Sequence, residues 1–147
     1  MGIEVAVLMH LLAQSPVISV VGTRGYQLRL PQKPTLPALR TQLIGEVEMV
    51  TLKGDLTNLF AARVQVDLWT NETDGGDGYT TARDGGVAIR NALMLTSAGG
   101  QVFSVGSPAE IAVSSVELLD RTIEYEPEEF RQIRLRQDFR LMFQELS

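Results

Sequence analysis

Between Ala62 and Thr70 apolar and polar residues alternate: Val64, Val66 and Leu68 point one way in an extended chain, and Arg63, Gln65, Asp67 and Trp69 the other. A period of two with one dry face is the pattern of a strand packed on a core. The second face mixes two charges, an amide and the only tryptophan. It is therefore expected to meet another layer of the chain or a neighbouring subunit. The same period runs from Ala38 to about Leu52, with Leu39, Thr41, Leu43, Gly45, Val47 and Met49 on one side. Arg40, Gln42, Ile44, Glu46, Glu48 and Val50 occupy the other, and Gly45 predicts a bulge or bend in mid-strand. Lys53-Gly54-Asp55 is a turn, so residues 40–68 predict a long β-hairpin with more surface than one small core can cover. The run from Phe130 to Leu146 alternates best. Ile133, Leu135, Phe139, Leu141 and Phe143 lie on one side, interrupted only by Gln137, and Arg134, Arg136, Asp138 and Arg140 on the other.

Helical periods occupy two places. Residues 2–14 predict a helix whose stripe is Val5, Leu8, Met9 and Leu12, with Ile3, Ala6, His10 and Ala13 beside it. Ser15-Pro16 is expected to end it. Tyr79 to Leu95 predicts a central helix with Tyr79, Ala82, Gly86, Ile89 and Leu93 on the buried face. Gly86 then allows close approach to a sheet, whereas Gly85 suggests a kink. The intervening segments read as connectors. Val17 to Val21 is apolar and β-branched, and Gly22-Thr23-Arg24-Gly25 is a turn with positive φ at one glycine. Gln27 to Leu30 is a short extended piece, and Pro31, Pro34 and Pro37 suggest a polyproline-like link. Ser97 to Gly100 ends the central helix, Val102 to Val105 is a short strand, and Ile111 to Glu126 is extended with less regular alternation. Glu124, Glu126, Glu128 and Glu129 around Pro127 form an acidic tip. These elements suit a single domain over residues 1–147, in which strands, among them a long β-hairpin, accompany an N-terminal helix and a central helix.

Composition narrows the chemistry. The 147 residues are 44% hydrophobic, which suits one ordinary core. The lack of cysteine excludes disulfides and thiolate chemistry. A net charge of −5 opposes a protein that grips nucleic acid through phosphates, though not a surface past which DNA slides. The apolar run Val5 to Leu12 lacks a basic flank and is too short to span a bilayer, so a soluble, unprocessed protein with no membrane partner is expected.

No active site is legible. His10, the only histidine, has apolar neighbours at helical spacing and reads as a half-buried structural residue. Asn71 to Gly78 has neither the ligand offsets of a calcium loop nor the Lys of a phosphate loop. Asp67 and Asp138 form a carboxylate pair if their strands are neighbours, but both lie among arginines, a setting for ion pairs and not for a general acid. The arginine row Arg134, Arg136 and Arg140 is better explained by cross-strand pairs with the preceding acidic strand than by a nucleic-acid stripe. Neither a cofactor nor a metal is expected.

With the elements in this order, the chain resembles the tail-completion, or tail-terminator, family of long-tailed bacteriophages and related prophage and gene-transfer particles. The resemblance rests on a short N-terminal helix, then Val21-Gly22-Thr23-Arg24, Leu28-Arg29-Leu30-Pro31-Gln32 and Pro37-Ala38-Leu39. It continues through Arg63 to Trp69 before a helix and ends on the strand Ile133 to Phe143 with Gln137-Asp138-Phe139-Arg140. It implies an α+β fold, a mostly antiparallel β-sheet with the long β-hairpin packed against the N-terminal and central helices. It also implies a non-enzymatic virion protein, made in the host cytoplasm and assembled as a ring, usually a hexamer, at the head-proximal end of the tail. Such a ring stops tube growth, contacts the major tail tube protein, docks the head-completion or neck protein, and lets DNA pass through its lumen without specific binding. On this reading Arg63, Gln65, Asp67, Trp69, Glu46, Glu48, Arg134, Arg136 and Arg140 are the candidate interface residues. Three alternatives remain: a head-completion or neck (stopper) protein, an enzyme using Asp67 and Asp138, and a DNA-binding module using Arg131, Arg134, Arg136 and Arg140.

Overall fold

In the computed structural model, which describes residues 1–72, 77–94, 102–126 and 132–146, one twisted sheet carries three helices on a single face. The strands are β1 (Gly25–Gln27), β2 (Ala38–Val50), β3 (Leu56–Asn71), β4 (Phe103–Gly106), β5 (Ala109–Glu126) and β6 (Gln132–Glu145), in the order β1-β2-β3-β6-β5-β4. Only β1 and β2 run parallel. The helices are α1 (Ile3–Leu11), α2 (Ser15–Val21) and α3 (Asp77–Met94). The α+β class and the mostly antiparallel sheet are as the resemblance implies, and the long hairpin is as the pattern predicts. Among the described residues no single helix is long and apolar enough to cross a membrane.

The period-two runs set the central strands. Val64, Val66 and Leu68 of β3 are buried beside Leu135, Phe139, Leu141 and Phe143 of β6 and Leu39 of β2. β3 and β6 pair without a register shift from Leu59↔Gln144 to Asn71↔Gln132, so both alternations stay on one face throughout. β2 has the bulge expected at Gly45, between Leu43 and Gly45. β5 carries two shifts, after Val113 and after Leu118. Each extra residue flips the side-chain parity, which is why its alternation reads poorly in sequence.

The N-terminal region departs from expectation in three ways. α1 stops at Leu11, and Ser15-Pro16 opens α2 instead of merely closing α1. Proline is tolerated in a first helical turn, where its missing N–H has no intrahelical partner to lose. The two helices meet at a bend of 88°. The buried side of α1 is Ile3, Ala6, Val7 and Leu11, while Met9 of the predicted stripe is exposed. Both sides of this helix are apolar, so periodicity could not choose between them; the position of α2 and α3 does. Further on, the first edge strand lies at Gly25–Gln27, earlier than the predicted Gln27–Leu30, and Gly22 takes the positive φ. The proline-spaced link is not one polyproline helix: it bends, and Lys33 has φ 52°.

α3 lies close on the sheet because both glycines face it. A Cβ on Gly85 would stand 2.5 Å from Leu68 Cδ2, and one on Gly86 would stand 2.0 Å from Leu135 Cδ2. Gly85 therefore serves close packing within a helix that runs on through it. Tyr79, predicted on the buried face, is exposed. The centre of the Asp/Gly loop at 73–76, the helix end at Ser97 to Gly100, Arg131, and the acidic tip at Pro127 to Glu129 lie outside the described residues.

Candidate assembly surface

The face of the sheet opposite the helices carries an ion-pair lattice. Register sets Asp67 of β3 between Arg40 of β2 and Arg136 of β6, with Trp69 two residues along, between Ala38 and Arg134. Asp67 is fully buried. Its Oδ2 accepts a 3.1 Å hydrogen bond from Arg40 Nε and a further ionic contact from Arg40 Nη2. Gln65 Nε2 donates to the same oxygen at 2.9 Å, and Arg134 Nη2 at 3.3 Å. The two guanidinium carbons lie 5.0 Å and 5.1 Å from the Trp69 ring centroid. One carboxylate thus holds two cations, and the indole accepts both against its ring while keeping water off the pair.

The rest of the face is paired across strands. Arg63 Nη2 meets Asp138 at 2.7 Å and Arg140 Nη2 meets Glu117 at 2.8 Å. Arg136 and Arg134 approach Glu124 at 3.6 Å and 3.7 Å. The arginine row is therefore neutralised by acids of its own chain, as the cross-strand reading expects. Asp138 stands opposite Gln65, so Asp67 and Asp138 do lie on neighbouring strands. Asp67 is held by Arg40 and Arg134, and Asp138 by Arg63 through one of its oxygens, the ion pairing expected of carboxylates set among arginines.

The candidate residues do not share one face. Arg63, Gln65, Asp67, Trp69, Arg134, Arg136 and Arg140 lie on the lattice side. Glu46 and Glu48 do not: the bulge at Gly45 shifts the register, so they stand opposite Ala62 and Phe60, on the side of the helices. Burial, with the nearby Glu145 and Glu4 carboxylates, pushes the Glu46 pKa above its ordinary value. Asp67 itself is covered by its own chain, leaving Arg40, Trp69 and Arg134 to present the patch. Arg40 was missed in sequence. It lies on the predicted side, but only the strand register sets it against Asp67.

The hairpin extends the surface. Ile44, Val47, Met49, Val50, Leu52 and Leu56 are all exposed on β2, β3 and their connection, Val47 at 68% and Leu56 at 74%. An arm that exposes this many large apolar side chains marks an interaction site. The turn is closed locally, with Asp55 N–H donating to Thr51 Oγ1 at 3.0 Å, so the tip is formed and not frayed. His10 is not part of any such surface. Its Nε2 lies 2.8 Å from Ala92 O, its ring stacks on Phe103 at 4.0 Å, and burial lowers its pKa below 6.5 against the opposing effect of that hydrogen bond.

Residues 5–144 match the family model described as tail completion protein gp17. No curated protein matches the chain. Among solved structures, a chain of one described as "Virion of native gene transfer agent (GTA) particle" is similar, with a TM-score of 0.65 and 19% identity. The match covers 97% of this chain and 95% of that one, and at this identity it shows a shared fold.

Proposed function

The chain belongs to the tail completion protein gp17 family, a structural component of phage-type virions, and on that premise we propose that it forms a ring closing the head-proximal end of the tail. The ring, a hexamer in the family it resembles, stops growth of the tail tube and offers the neck of the filled head a docking face. DNA passes through its lumen, for which a net charge of −5 is suited because it does not retain phosphates. The protein is made in the host cytoplasm, and its work is done by interfaces, without catalysis.

The observation that carries this reading is the hairpin arm, whose exposed Val47, Met49, Val50, Leu52 and Leu56 are a cost to a monomer and an asset to a subunit. The similarity of fold to a chain of a gene transfer agent virion supports it. Electron microscopy and native mass spectrometry of the purified protein, with and without tail tubes, test it. Rings at one end of the tubes are expected; absence of rings and of tube-end binding would overturn it. Tagged protein should be found on tails before head joining, whereas its presence on heads would mark a neck protein instead.

A further inference from the structure

The sheet has two long free edges among the described residues. β1 covers β2 only at Leu39, Arg40 and Thr41, and β4 covers β5 only from Ala109 to Val113. β2 from Leu43 to Val50 and β5 from Ser115 to Glu124 thus present backbone groups with no neighbouring strand, a template for pairing with another chain.

Beside the β5 edge, α3 leaves a groove of about 260 Å³ lined by Arg83, Val87, Arg121, Ile123 and Leu135. Gln137, the one polar residue in the apolar row of β6, is 1% exposed and is used to build it. Its Oε1 accepts hydrogen bonds from Arg121 Nε at 3.1 Å and Nη2 at 2.8 Å, and its Nε2 donates to Gly86 O at 3.1 Å. A buried amide is tolerated only when its hydrogen bonds are met; here they fix one guanidinium at the groove. Arg83 and Arg90 stand two turns apart on α3. None of these three arginines is ion-paired among the described residues. Burial and the like charges of Arg90 and Arg83 depress the Arg121 pKa.

At the β2 edge the sign is reversed. Glu46 and Glu48 face the helix side, the same side as Arg121, and Glu46 is crowded by Glu145 and Glu4. Within one chain the two clusters cannot meet: three strand spacings and about four residues of β6 separate Glu46 from Arg121, on the order of 20 Å.

We propose that the β2 edge of one copy seats on the β5 edge and α3 groove of a second copy, with Glu46 and Glu48 facing Arg83, Arg90 and Arg121. The two patches are different surfaces of the same chain, so the contact is head-to-tail and closes into a ring when the rotation permits. This rests on the ring reading above. The apolar groove floor and the acidic net charge disfavour DNA as the occupant.

Charge reversal tests it. Arg83→Glu with Arg121→Glu, or Glu46→Arg with Glu48→Arg, should each lower ring formation on tail tubes by roughly tenfold or more, one unit of 1.4 kcal/mol in an equilibrium. One chain carrying all four changes should recover it. Because Arg121 also donates to the buried Gln137, thermal unfolding checks that each variant is folded, and Arg83→Glu with Arg90→Glu, which leaves Gln137 bonded, should give the same loss. The neutral pair Arg83→Gln with Arg121→Gln should give an intermediate loss. Reversed chains that assemble like the wild type, or a quadruple variant without recovery, overturn the proposed contact while rings of the wild type leave the ring reading intact. A wild type that never forms rings removes both. Intact assembly with loss of salt-sensitive DNA binding in the arginine variants reassigns the groove to nucleic acid and overturns the proposal.

Discussion

Replacing Asp67 by asparagine removes a charge from the centre of the lattice face while keeping the shape of the side chain. In the wild type the carboxylate is fully buried and neutralises Arg40 and Arg134, whose side chains are 16% and 26% exposed. Breaking a buried ion pair by removing one partner costs roughly 3–5 kcal/mol. Two features reduce that here. Asparagine can still accept one hydrogen bond, and both arginines retain some access to water, with Glu124 3.7 Å from Arg134. About 2 kcal/mol of destabilisation is the expected loss, or a fall in Tm of roughly 6–8 °C for a domain of this size. Trp69, flanked by both cations, is the only tryptophan and reports the change directly through its fluorescence. The comparison variant is Arg140→Gln, whose ion pair with Glu117 joins side chains 55% and 60% exposed and should cost under about 1 kcal/mol. Urea unfolding followed by tryptophan emission measures both. An Asp67→Asn midpoint equal to the wild type, or a larger loss in Arg140→Gln, would refute the view that Asp67 holds this face together.

Three other outcomes follow from particular contacts. Gly86→Ala should destabilise the fold by about 1–3 kcal/mol through overpacking, although alanine gains about 1 kcal/mol in helix propensity. The reason is the 2.0 Å approach to Leu135 Cδ2, and a raised urea midpoint would contradict it. For His10, whose folded pKa lies below 6.5, the unfolded chain binds the proton first. Its contribution is therefore fully present above pH 6.5 and is lost as pH falls through the folded value. The decline in stability as pH falls below 6.5 should be shallower in His10→Asn, measured by urea unfolding at each pH. Val47→Ser with Leu56→Ser, both exposed, should change stability by no more than about 0.5 kcal/mol yet reduce tail completion, read from thermal melts and from the yield of joined particles.

What could be read in the sequence was what a strict period fixes. β3 and β6 pair without a shift over Leu59 to Asn71, so Val64, Val66, Leu68, Leu135 and Phe139 were legible as core and Arg63 to Trp69 as a second face. Where a bulge intervenes the period fails. Gly45 is recognisable as a bulge, and the parity change it causes sets Glu46 and Glu48 on the helix side, opposite to the face that unbroken alternation predicts. α1 is apolar nearly all round, so its pattern could not say which side is buried. Arg40 and Gln137 depend on register and on a tertiary hydrogen bond, neither of which a single sequence displays.

The central claim concerns tail ends, and the length of tails tests it most directly. Particles produced without this protein, and again with it restored, can be compared by electron microscopy. The account predicts uniform tails capped by a ring and joined to heads when the protein is present, and overlong, uncapped, unjoined tubes when it is absent. Tails of normal, uniform length joined to heads in its absence would contradict it.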